Sequence, residues 1–121
     1  MTDGQPLFGL GDPRIARAAV GARTEYRRRG VRNEVLGAAL FSDPAWDMLL
    51  DLFIAACDGR RLSVSSVCVG ARCPSATALR YLQLMLDAGL IYREADARDG
   101  RRFYVVLHPA TLHQLVEILS A

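Results

Sequence analysis

Apolar residues follow a helical period in five stretches of this chain and alternate with polar ones in a sixth. The clearest helical stretch lies between an Asp-Pro start and an Asp-Gly stop, and it predicts a central helix over 45–57. Its acidic residues, Asp47 among them, are expected to face solvent or to cap the helix. The predicted core face consists of Trp46, Leu49, Leu50, Phe53 and Cys57.

A second Asp-Pro pair, at Asp12-Pro13, predicts a helix over 13–29 that ends at Gly30. Its apolar stripe is thin for its length, and such a helix is usually stable only when it is packed against something else. We therefore expect 13–42, this helix and the connector after it, to contribute to a subunit interface. Residues 1–12 are expected to be flexible.

The middle of the chain predicts two short helices joined by a tight turn. Ser63 caps a helix over 64–69, residues 70–73 form the turn, and Pro74 starts a helix that continues to Ala88. The second helix is expected to bury one apolar face. This face consists of Leu79, Leu82, Met85 and Leu86.

After Gly89 the pattern changes from a helical period to alternation. Strands are expected at 90–94 and 102–107 with a charged tip at 95–101, and a minimal strand at 60–62 is expected to pair with this hairpin. Pro109 then starts a last helix to about Leu119. This order predicts a mainly α domain with a small β-hairpin (α+β), a winged helix-turn-helix over 43–107.

Composition adds limits to this picture. The chain is 51% apolar and 23% charged, which is typical of a globular domain, and no apolar run approaches the roughly 20 residues of a membrane span. The N-terminus lacks the basic and apolar segments of a secretory signal. A cytoplasmic protein that does not bind membranes is expected.

The net charge of +2 hides an uneven distribution. Residues 14–32 carry seven Arg and one Glu, residues 33–59 carry one Glu and four Asp, and residues 60–107 carry eight Arg against four acids. The positive charge therefore lies on the first helix and on the predicted winged region.

The sequence contains no pattern for an enzyme, a metal site or a cofactor. Its two histidines, His108 and His113, are not accompanied by a phosphate loop, a nucleophile elbow or an HExxH motif. The three cysteines lack zinc-site spacing. Cys73, at the turn, is either a passive thiol or one that oxidants can reach.

The start of the second short helix carries side chains suited to reading DNA. Arg80 can donate two hydrogen bonds to guanine, hydroxyl groups can reach phosphates or bases, and a small apolar side chain can touch a thymine methyl group. By itself this pattern also fits a solvated helix face. The candidate residues here are Ser75, Ala76, Thr77, Arg80 and Tyr81.

The hairpin tip adds a second candidate surface, with Arg98, Asp99, Arg101 and Arg102. An arginine on such a loop can enter a narrow minor groove. An isolated run of this kind also fits an ordinary charged turn. Because the helix, turn, helix and arginine-rich tip follow one another in this order, double-stranded DNA is the predicted partner.

Residues 63–107 resemble the winged helix-turn-helix of MarR-type transcriptional regulators. The resemblance implies that Arg101 contacts the minor groove and that Asp99 orients basic groups near it. It also implies a homodimer, joined by 13–42 and 108–121, on a pseudo-palindromic operator. The matching segments are PSAT at 74–77, Arg80, DAGLI at 87–91 and READARDGRR at 93–102, which includes the Asp-x-Arg step typical of the family wing.

Two functions follow from the sequence as alternatives. The first is a sequence-specific, double-stranded DNA-binding transcriptional regulator that reads the major groove with helix 74–88 and the minor groove or backbone with wing 92–104. The second is a winged-helix module that binds proteins in a regulatory assembly, which the acidic stretch 43–58 favours. No set of residues in the sequence points to a small-molecule effector.

Overall fold

The computed structural model describes residues 12–121, and the predicted flexible segment 1–12 lies outside this range except for Asp12. The described residues form five helices and one three-stranded sheet, so the predicted mainly α winged helix-turn-helix is confirmed. The elements in chain order are α1 (Pro13–Leu36), α2 (Pro44–Cys57), β1 (Leu62–Ser63), α3 (Val64–Gly70), α4 (Ser75–Asp87), β2 (Ile91–Ala95), β3 (Phe103–Leu107) and α5 (Pro109–Leu119).

Four of the five described helices begin after a residue whose side chain caps the helix. The Asp12 carboxylate accepts a hydrogen bond from the Arg14 backbone N–H at 2.9 Å, and Ser63 Oγ accepts one from the Ser66 N–H at 3.3 Å. These bonds satisfy backbone donors that have no partner inside the helix. The predicted starts of α1, α2, α3 and α5 are thereby confirmed.

The predicted end of the first helix at Gly30 is wrong, because α1 continues to Leu36. Gly30 lies inside the helix and faces Arg72: a Cβ atom at this position would lie 2.8 Å from Nη2 at the end of the Arg72 side chain, which would have to shift. The helix ends instead at Gly37, whose φ of +92° an L side chain rarely adopts. The extension moves the first half of the predicted connector, 31–36, into α1.

The sheet has the strand order β1–β3–β2 and is antiparallel throughout. Leu62 pairs with Val105, and Ile91 pairs with Leu107. The two-residue strand β1 therefore joins the start of α3 to the hairpin, as the sequence predicted. The hairpin loop, 96–102, projects beyond the sheet.

The core surrounds α2, whose Met48, Leu50 and Phe53 are fully buried. Helices α1, α3 and α4 and strand β3 pack against α2, and α5 packs along α1. None of the helices in residues 12–121 is long and apolar enough to cross a membrane. The buried residues form one core, and one side of α4 and the hairpin loop remain at the surface.

Candidate nucleic-acid interface

An open groove of about 1360 Å³ lies between the helix-turn-helix and the wing. It is bordered by α3, the turn before α4, the first two turns of α4 and the hairpin loop. Of the predicted site residues, the groove brings together Ser75, Asp99, Arg101 and Arg102. Two serines that were not among the predicted site residues, Ser63 and Ser65, also line it.

The orientation of α4 is fixed by the residues that it buries. Ala78, Leu82 and Met85 face the core, so Ala76 and Arg80 point to solvent on the opposite side. Thr77 and Tyr81 are half-buried beside them. Of the predicted α4 residues, only Ser75 borders the groove; the exposed Ala76 and Arg80 and the half-buried Thr77 and Tyr81 do not.

The first turn of α4 lacks a side-chain cap among the described residues, because its N-cap is Pro74. A helix N-terminus carries partial positive charge from unpaired backbone N–H groups. These groups are therefore available to an anion at the end of the helix that borders the groove.

Hydrogen bonds within the loop hold the wing tip in one conformation. The Asp96 carboxylate accepts from the Arg98 backbone N–H at 2.9 Å and from the Tyr104 hydroxyl at 3.3 Å. The backbone bond lowers the pKa of Asp96, so its carboxylate stays charged. Asp99 Oδ1 accepts from Arg101 twice, from the backbone N–H at 3.1 Å and from Nε at 3.2 Å.

Asp99 thus orients the guanidinium group of Arg101, while the Arg101 side chain stays 92% exposed. Because the side chain of Arg101 is already oriented, it loses less conformational entropy when it binds a partner. Arg98 also lies at the exposed tip but does not border the groove.

Arginine side chains stack on aromatic rings along the stem of the wing. The Cζ atom of Arg61 lies 4.6 Å from the centre of the Tyr104 ring, and that of Arg102 lies 5.9 Å from the same ring. On the neighbouring strand, Arg93 lies over Phe103 at 5.4 Å. This stacking favours positive charge along the sheet and wing.

A buried ionic cluster lies behind the turn of the helix-turn-helix. Asp47 is fully buried, and its Oδ1 accepts from Arg29 Nε at 2.5 Å. The expectation that Asp47 faces solvent or caps is therefore wrong. The physical reason is tertiary packing: α1 packs against α2, which places Arg29 beside Asp47, and Arg72 lies near the same carboxylate.

Arg72 connects this cluster to the turn. It adopts a left-handed φ of +56°, and its Nη1 lies 3.9 Å from Asp47 Oδ1. Its Cζ atom lies 3.7 Å from the centre of the Tyr26 ring, and the Tyr26 hydroxyl donates to the Gly70 carbonyl at 2.8 Å. Burial raises the pKa of Tyr26. The turn is thus fastened to α1 by contacts that no local sequence signal predicts.

The expectation that Leu79 is buried is also wrong, because this side chain is 51% exposed and borders the groove. Ala78, one position earlier, takes its place in the core. The sequence allowed both registers, since Ala78, Leu82 and Met85 have the same helical spacing as the predicted face. Val69 on α3, 79% exposed, borders the same groove and was not singled out.

Two of the three free cysteines, Cys68 and Cys73, border the groove. Burial raises the pKa of both thiols. Both are consequently protonated and weakly nucleophilic near neutral pH. In residues 12–121 no cluster of three or more His, Cys, Asp or Glu residues could hold a metal ion.

Comparison with known proteins identifies the fold. No protein-family model and no curated protein sequence matches the chain. Solved structures do: S. aureus MepR in its DNA-binding conformation has 19% identity and a TM-score of 0.55, covering 84% of this chain and 72% of MepR.

A MarR family transcriptional regulator from Silicibacter pomeroyi has 22% identity and a TM-score of 0.55, covering 93% of this chain and 75% of its own. AbsC from Streptomyces coelicolor, also a MarR family regulator, has 15% identity and a TM-score of 0.53, covering 94% and 74%. The resemblance noted in residues 63–107 thus extends to the arrangement of nearly the whole described chain. This chain has the winged helix-turn-helix fold of MarR family transcriptional regulators.

Proposed function

We propose that this protein is a cytoplasmic, dimeric transcriptional regulator that binds double-stranded DNA in a sequence-specific manner and has no enzymatic activity. One observation carries the proposal: the exposed start of α4 and the arginine-bearing wing tip border the same cationic groove. A recognition helix and a wing on one face can reach the major groove and the adjacent minor groove or backbone of one duplex.

In this proposal α4 reads bases and the wing supplies phosphate or minor-groove contacts. Arg80 faces guanine, Ala76 and the hydroxyl groups of Ser75 and Thr77 contact neighbouring base edges or phosphates, and Tyr81 flanks them. Arg98, Arg101 and Arg102 approach the minor groove, with Asp99 holding Arg101. MepR, whose solved structure is in a DNA-binding conformation, has the same fold and supports this arrangement.

We place the dimer interface on 13–42 and 108–121. The second half of α1 and the turn after it expose large apolar side chains next to one another in sequence, and such a patch is costly unless a partner covers it. A two-fold dimer would present two copies of α4 to two half-sites of a pseudo-palindromic operator. The exposed apolar residues of this patch are Val31, Val35, Leu36, Leu40 and Phe41.

A winged-helix module that binds only proteins is less well supported by the structure. The acidic stretch 43–58 was the reason to consider it, but Asp47 is buried in an ion pair and Asp58 pairs with Arg23 at 2.5 Å and Arg60 at 3.5 Å. These carboxylates therefore do not form a free acidic surface for a partner.

Selection of bound sequences from a random duplex pool tests the proposal. We expect a consensus with two related half-sites, and an affinity that falls steeply with salt because several phosphates are neutralised. A selection that returns no consensus, or an affinity for duplex that is independent of salt, would contradict it.

Two arginine variants separate the two reading surfaces. Arg101→Ala should weaken binding to all duplexes, whereas Arg80→Ala should change the preferred base at one position in each half-site, each by about 1–3 kcal/mol. Arg60→Ala is the matched control and should have little effect, because Arg60 is exposed, does not border the groove and lies outside the proposed dimer interface. Fluorescence anisotropy on the selected operator and its single-base variants measures all three. Unchanged affinity in both test variants would exclude this face as the DNA site.

A further inference from the structure

The groove between the helix-turn-helix and the wing is lined by arginine side chains, serine hydroxyls and apolar side chains. The arginines and serines suit phosphate, and the carboxylate of Asp99 is already bonded to Arg101. The apolar side chains, Leu79 and Val69, are 51% and 79% exposed and border the groove beside the arginines. A partner made only of phosphates would leave these side chains without a contact.

A duplex offers one apolar group on its major-groove edge, the 5-methyl group of thymine. Leu79 lies one helical turn after Ser75 and directly before Arg80, so it shares the exposed start of α4 with the residues that face bases. An α-helix rises about 1.5 Å per residue and base pairs are stacked about 3.4 Å apart, so the adjacent residues Leu79 and Arg80 can reach bases within one or two steps of each other.

We propose that Leu79 is a specificity-determining residue that recognises a thymine methyl group in each half-site, within two base pairs of the base read by Arg80. Val69 borders the same apolar surface from α3 and excludes water from the methyl group. This inference rests on the proposed function, since it concerns the sequence preference of the same interface.

The test removes the methyl group without changing base pairing. Each thymine of the selected operator is replaced in turn by deoxyuridine, and the affinity of the full chain is measured by fluorescence anisotropy. One thymine per half-site should show a loss of about fourfold, the value expected for one buried methyl group. This thymine should lie within two base pairs of the position at which Arg80→Ala changes the preference.

Leu79→Ala should weaken binding to the thymine operator and abolish the difference between thymine and deoxyuridine at this position. Leu84→Ala is the matched control, because Leu84 lies on the same helix and is equally exposed, at 51%, but does not border the groove. The control should retain the fourfold difference. Both side chains are exposed, so both variants should fold, which circular dichroism and thermal melting verify.

The outcomes separate this inference from the proposed function. Tight, salt-dependent, sequence-specific binding with no effect of deoxyuridine at any thymine would overturn the role of Leu79 and leave the regulator intact. Equal loss of the difference in Leu79→Ala and Leu84→Ala would also overturn it, because the effect would then come from the helix as a whole. No binding to duplex at all would overturn both.

Discussion

Among single residues, Asp47 is a fully buried carboxylate that forms an ion pair with Arg29. Its Oδ1 accepts from Arg29, while its Oδ2 has no hydrogen-bond partner among the described residues. The bond to Asp47 raises the pKa of Arg29, so the Arg29 guanidinium group stays charged in the folded protein. Desolvation offsets most of what such a pair gains, but loss of one partner leaves the other charge buried alone.

We therefore predict that Asp47→Asn lowers the free energy of unfolding by about 3 kcal/mol. Asp58→Asn is the control, because Asp58 forms an ion pair with Arg23 at the surface, and its loss should cost less than about 1 kcal/mol. Urea unfolding at neutral pH measures both. Equal stability of the two variants would show that burial of Asp47 has no energetic consequence.

Among the elements, α1 and α5 are held together by close backbone contact. Gly21 of α1 faces the end of α5, and a Cβ atom at this position would lie 2.6 Å from the carbonyl oxygen of Leu119. That oxygen belongs to the backbone and cannot move without the helix. The absence of a side chain at Gly21 therefore allows α1 and α5, the two helices that we assign to the dimer interface, to lie this close together.

Gly21→Ala tests this packing. Alanine in a helix interior gains up to about 1 kcal/mol over glycine, but overpacking against a backbone costs about 1–3 kcal/mol, so we expect net destabilisation. Gly100→Ala, where a new Cβ atom meets nothing within 4 Å, should change stability by no more than about 0.5 kcal/mol. Thermal melting compares the two. A Gly21→Ala variant as stable as wild type would contradict this expectation, because the shift of α5 would then cost no more than alanine gains in the helix.

At the scale of the whole molecule, the groove and the exposed apolar patch are two separate surfaces built around one core. The groove lies between α4 and the wing, and the apolar patch lies at the end of α1 and the turn after it. Arg72 and Tyr26 connect them, because they fasten the turn before α4 to the middle of α1. The position of α4 is thus tied to the helix that we place in the dimer.

Val35→Asp should convert the dimer into a monomer. Val35 is 74% exposed, so the substitution places a charge in the proposed interface without disturbing the core. Leu115, on α5, is unsuitable for this test, because it is buried within the subunit and a charge there would destabilise the fold. Sedimentation velocity measures the mass, with Leu84→Asp on α4 as the control. A Val35→Asp protein with the mass of the wild type would place the interface elsewhere.

Much of the fold could be predicted because its signals are local. The Asp-Pro starts of α1 and α2, the Ser63 cap and the change of period after Gly89 each act over a few residues, and each was borne out. The site was predictable in part for the same reason: Ser75, Asp99, Arg101 and Arg102 do border one groove. Their contacts with DNA remain predictions.

By itself the sequence determined the order and type of the elements and the charge of the wing, because capping, helical period and alternation depend on neighbours along the chain. Only the tertiary structure decided that α1 continues past Gly30, that Asp47 is buried and that Leu79 faces the groove. Each of these three features depends on a contact with a residue distant in sequence, or on which of two possible apolar faces of a helix packs against the core. A local pattern carries no information about such a partner, and packing of the whole core makes the choice.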